Sequence, residues 1–94
     1  MNEFHLIYFY FLNEFKLKYG YIKIHGKHIA ITGRRNDLLI HILYPGHQIA
    51  TLVIIEEQCS VVVNGEYFDL NDPYSVRNIL KSVNNIVLAY INSA

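Results

Sequence analysis

Five histidines, one cysteine, an adjacent pair of arginines and an adjacent pair of glutamates are the side chains here with the chemistry to build a site. His25 and His28 flank Gly26-Lys27. A two-residue turn at Gly26-Lys27 would make them a cross-strand pair on one face, close enough to share an ion. Zinc needs three or four protein ligands held by oriented partners, and only His41 and His47 could join the pair. The simpler reading is a solvated strand face carrying Lys23, His25 and His28, so neither a metal nor a cofactor is expected.

Cys59 could act as a nucleophile only with a distant histidine. It shares a strand face with Val61 and Val63, which reads as an inert core thiol. No G-x-G-x-x-G, P-loop, G-x-S-x-G or C-x-x-C pattern occurs. Glu56-Glu57 reads as a turn. Arg34-Arg35, followed by Asn36 and Asp37, could hold an anion or a nucleic-acid backbone, although two arginines in a polar turn are more simply solvated. The expectation is therefore a protein without catalytic activity.

Composition narrows the rest. Ninety-four residues suit one domain, residues 1–94, and one two-layer core. Hydrophobic residues make up 52% and charged residues only 17%, which excludes disorder and leaves more apolar surface than so small a body can hide. The formal net charge is zero, against the basic face of a nucleic-acid binder and the acidic excess of a DNA mimic. A single cysteine allows no intrachain disulfide and fits a reducing compartment. The longest apolar run, Leu6 to Leu12, is far short of the ~20 residues of a membrane helix. Glu3 stands where a signal peptide would carry Lys or Arg. A cytoplasmic protein with no membrane partner is expected. Heavy use of Ile, Tyr, Asn, Phe and Lys matches an AT-rich coding sequence, as in a low-GC bacterium, a phage or another mobile element.

These residues must be positioned by an α+β fold. Phe4, Ile7, Tyr8, Phe11, Leu12, Phe15 and Tyr19 form a helical stripe over residues 3–19, against the competing strand propensity of Ile7 to Phe11. Gly20 supplies the stop, and Lys16 and Lys18 suit the last turn. A type II′ turn at Gly26-Lys27 places Ile22, Ile24, Ile29 and Ile31 on one strand face and Tyr21, Lys23, His25, His28, Ala30 and Thr32 on the other. Strands follow from Leu38 to Tyr44 and from about Gln48 to Glu56. If residue 44 pairs with 47, Leu38, Ile40, Ile42, Ile49, Val53 and Ile55 share a face. Asn64-Gly65 closes a hairpin that aligns Val61 with Phe68 and Cys59 with Leu70. Asp72 as N-cap and Pro73 as first helical residue open a helix with Val76, Ile79, Leu80, Val83, Val87, Tyr90 and Ile91 on its inner side. The predicted architecture is a two-layer sandwich: N-terminal helix, antiparallel meander of five to six strands, C-terminal helix.

The first helix carries a second stripe. Leu6, Tyr10, Asn13 and Leu17 recur at i, i+4, i+7 and i+11, with Phe9 beside them. A helix on one sheet needs only one apolar stripe, so this one must meet the other helix, a second copy in a homodimer, or a different protein. The leading expectation is a protein-interaction module, an inhibitor, immunity or adaptor protein that binds a larger protein. The alternative is a nucleic-acid-binding module using Arg34, Arg35, Lys16, Lys18 and tyrosines of the sheet.

Overall fold

The computed structural model describes residues 2–94. Helix α1 covers Glu3–Tyr19 and begins at Asn2, whose side-chain oxygen accepts the His5 N–H at 3.1 Å. The helical period wins over the β propensity of its first half. Tyr8, Phe11, Leu12, Phe15 and Tyr19 are buried as one stripe, with the Phe11 and Phe15 rings stacked at 5.9 Å. The helix stops at Gly20, but Gly20 keeps a right-handed backbone (φ −65°) and donates its N–H to Lys16 O.

Strands β1 (Lys23–Ile24) and β2 (Lys27–His28) form a separate two-stranded ribbon. Its turn is centred on His25-Gly26, with φ of 51° and 79°, a type I′ turn in place of the expected Gly26-Lys27. Lys23 pairs with His28 and Ile24 with Lys27, so His25 and His28 are not a cross-strand pair. Moving the turn centre by one residue changes each partner by two. The face separation therefore survives: Ile24 and Ile29 are buried, and Lys23, His25 and His28 are exposed.

The main sheet is an antiparallel meander in the order β3-β4-β5-β6-β7, comprising Ala30–Arg34, Leu39–Tyr44, His47–Ile55, Ser60–Val63 and Glu66–Asp69. Tyr44 pairs with His47 as expected, but the register shifts between Ile42 and Leu43: Leu43 faces Gln48 and Ile42 faces Ala50. Ile49 is the extra residue of a β-bulge, and beyond a bulge every side chain changes face. Ala50, Leu52 and Ile54 therefore join Ile40 and Ile42 in the core. Val53 and Ile55, expected there, lie on the opposite side. Asn64 holds the bulge from the next hairpin. Its side chain accepts the Thr51 N–H at 2.8 Å and donates to Ile49 O at 3.2 Å, while Asn64 and Gly65 form a type I′ turn (φ 47° and 85°).

Two 3₁₀ turns, Arg35–Asp37 and Glu56–Gln58, connect β3 to β4 and β5 to β6, and each ends on a left-handed residue, Leu38 or Cys59. The β6–β7 register is the expected one, with Val61 opposite Phe68 and the Leu70 N–H bonded to Cys59 O. Cys59 itself is not a core thiol. Its left-handed backbone (φ 48°) leaves it partly exposed, with Sγ 3.8 Å from Asn71 Oδ1. Helix α2 covers Ser75–Ser93, three residues beyond the expected cap. Asp72 shapes the turn before it, accepting the Tyr74 N–H on its side chain and the Ser75 N–H on its carbonyl, but the residue at the cap is Tyr74, which makes no side-chain capping bond.

Both helices lie on one face of the sheet. The α1 residues Tyr8 and Leu12 pack over Gly33 of β3, and Ser82 of α2 donates to Glu66 of β7, which shares the face of Val63. The Tyr19 hydroxyl donates to Asn84 Oδ1 at 3.1 Å and links the helices directly. Phe11, Val61, Ile79, Val83 and Val87 are completely buried between the layers.

Candidate interaction surfaces

Antiparallel sheets with one covered face usually alternate apolar inside with polar outside. In the middle of this sheet that alternation fails. The residues opposite the core form continuous rows across the strands, and the paired registers align Arg34, Leu39, Val53, Val62 and Tyr67 in one of them. Thr32, His41 and Thr51 make the row above, and in the row below Ile55 and Asp69 flank Ser60, which is fully buried with its hydroxyl on Gln58 Oε1. Leu39, Val53, Ile55 and Val62 are partly exposed, and Tyr67 is 55% exposed. Among the described residues no helix covers this side. Its formal charges are Arg34 at one edge and Asp69 at the other. Arg34 reaches only Asp37, at 4.0 Å, and one Asp69 oxygen accepts the Asn71 N–H. The bulge at Ile49 decides which residues of β5 this surface presents, sending Val53 and Ile55 outward in place of Leu52 and Ile54.

The second surface is the outer stripe of α1. Leu6 is 61% exposed, Tyr10 45% and Leu17 75%, with Asn13 exposed between them and Phe9 half-buried. Packing against α2 does not cover this stripe. Its C-terminal end opens into a groove of about 510 Å³ between the helices, whose walls include Leu17, Tyr21 and Leu88.

The basic residues of the nucleic-acid reading are not brought together. Tyr8 lies over Gly33, and Lys16 and Lys18 follow eight and ten residues later, ~12–15 Å further along the helix. Arg34 and Arg35 lie the other way, beside Asp37. Arg35 approaches the Tyr8 phenol: burial raises the Tyr8 pKa, and the guanidinium offsets part of that rise. Burial also raises the Tyr19 pKa, reinforced by Glu14, which itself pairs with Lys18 at 3.7 Å.

The histidines are dispersed. His41 approaches the Thr51 hydroxyl on the bare sheet face at 3.4 Å, and His28 lies 3.2 Å from Gly20 O through Nδ1. The His47 ring packs against Tyr90. His28 and His47 line a shared cleft of about 430 Å³ with Leu43 and Tyr44. Among the described residues no three His, Cys, Asp or Glu side chains are gathered to hold a metal, and no helix is long and apolar enough to cross a membrane.

The outer stripe of α1 was legible from helical spacing. The bare sheet face was not. Compared with protein-family models, curated proteins and solved structures, the chain matches none of them.

Proposed function

We propose that the chain is a non-catalytic protein-interaction module of the cytoplasm: an inhibitor, immunity or adaptor protein, of the kind mobile elements encode, that binds a larger protein through the outer stripe of α1. The observation that supports this reading is the exposure of Leu6, Tyr10 and Leu17 at one-turn to two-turn spacing on a rigid helix, with Leu17 at the mouth of the inter-helix groove. An amphipathic helix or extended segment of the partner would bury this stripe. Aromatic and aliphatic anchors of this kind each contribute on the order of 2 kcal/mol at an interface, about thirty-fold in affinity.

The test is capture of partners from nuclease-treated host lysate with C-terminally tagged wild type and with the Tyr10→Asp, Leu17→Asp double variant. The expected result is one stoichiometric protein that the wild type retains and the folded double variant loses. Retention by both would remove α1 from the interface. A partner that disappears with nuclease would instead favour nucleic acid contacted through Arg34 and Arg35.

A further inference from the structure

We infer that the bare sheet face is the interface of a symmetric dimer of this chain, with the two-fold axis parallel to the strands. Such an axis, lying between two facing sheets, turns one copy onto the other and exchanges left for right, so β3 of one copy lies over β7 of its partner and β5 over β5. The row Arg34–Leu39–Val53–Val62–Tyr67 is complementary to itself under that exchange. Val53 meets Val53 at the centre, Leu39 meets Val62 on either side, and Arg34 meets Tyr67 at both ends. Arg34 carries no buried bond and its side chain is 71% exposed, so the guanidinium is free to lie over the partner's Tyr67 ring. Asp69 follows Tyr67 on the same face, ~6.6 Å further along the strand and within reach of an extended arginine. Both rim charges of the face are thereby paired twice, once at each edge. An axis perpendicular to the strands would place β3 over β3 and bring neither Arg34 near an Asp69 of the other copy.

The area fits a reversible dimer. Five strands spaced ~4.8 Å apart and three rows ~6.6 Å apart bound a face of about 24 by 20 Å, so two copies bury at most on the order of 1,000 Å² in total, the lower end of specific interfaces. Stacked sheets of this kind align within about 30°. An interface of this size suits a weak, reversible dimer. In the dimer the helices face outward and the outer stripe of α1 stays free on both copies, so this inference does not rest on the reading of that stripe.

Mass in solution, measured by sedimentation over about 1–300 μM, tests the inference. The wild type should pass from monomer to dimer. V53E sets two carboxylates against each other on the axis and should weaken the dimer by about a hundred-fold or more. R34E and D69R, both changes at the exposed rim, should each weaken it by about ten-fold. The R34E/D69R double variant exchanges the two charges and should recover most of the loss. A monomer at every concentration overturns the inference. So does a dimer indifferent to V53E and to both rim variants, or one abolished by Tyr10→Asp with Leu17→Asp. Rim variants whose losses add in the double variant overturn the orientation of the axis.

Discussion

Asn64 bears on the fold more than its exposed position suggests, because one side chain fixes both a turn and a bulge. Asn64→Gly keeps the positive φ of the type I′ turn and removes the bonds to Thr51 N and Ile49 O, at 2.8 and 3.2 Å. Two hydrogen bonds at about 0.5–1.5 kcal/mol each put the loss at about 1–3 kcal/mol. Asn64→Ala loses the same bonds and also forces a Cβ into the left-handed region, a further ~1 kcal/mol. With a urea slope of about 1–3 kcal/mol per molar, the midpoint of Asn64→Gly should fall by on the order of 1 M, and that of Asn64→Ala by more. Urea titration followed by far-ultraviolet circular dichroism reads both. A glycine variant as stable as wild type would show that the bulge stands without the clamp. An alanine variant more stable than the glycine variant would contradict the positive φ at this residue.

Gly33 and Tyr8 should be coupled, because a Cβ at Gly33 would overlap the Tyr8 hydroxyl and lie 3.0 Å from its ring carbon Cζ. Gly33→Ala should cost about 1–3 kcal/mol, and Tyr8→Phe should recover part of it, so a double-mutant cycle in urea with no coupling would contradict this contact. Stability should also fall in alkali. Tyr8 and Tyr19 have pKa values raised above 10.0 in the folded state, so their contribution is complete below that value and lost as pH rises through the folded values. Urea midpoints should hold to about pH 10 and then decline, less steeply in a Tyr8→Phe, Tyr19→Phe double variant, and parallel declines would refute the assignment.

What could be read in the sequence follows from how strongly each pattern constrains one structure. The inner stripe of α1 leaves no ambiguity of face, because Tyr8, Phe11, Leu12, Phe15 and Tyr19 match only a helical period. Asn64-Gly65 combines turn chemistry with position and closes its hairpin where expected, whereas Asp72-Pro73 marks the approach to α2 and not its first turn. Strand β5 offers no such constraint. Ile49 to Ile55 is apolar at both parities, so alternation cannot report an extra residue, and the correct pairing of Tyr44 with His47 still led to the wrong face for Val53 and Ile55. The His25-Gly26 turn was misplaced because glycine there takes the second central position behind a left-handed histidine, which composition does not signal. The outer stripe of α1 needs only the helix to be recognised. The bare sheet face needs the bulge and the side chosen by both helices, and those are decided by packing.

Which side of β5 reaches solvent, and what covers it, decides both the bulged register and the dimer. Thiol labelling of Val53→Cys and Leu52→Cys, each in a Cys59→Ser background, measures this directly as a rate against protein concentration. Cysteine at position 53 should react readily in dilute protein and become protected as concentration rises through the dimer range, while cysteine at 52 stays protected throughout. Faster reaction at 52 than at 53 would contradict the bulged register, and a rate at 53 that ignores concentration would contradict the covering of this face by a second copy.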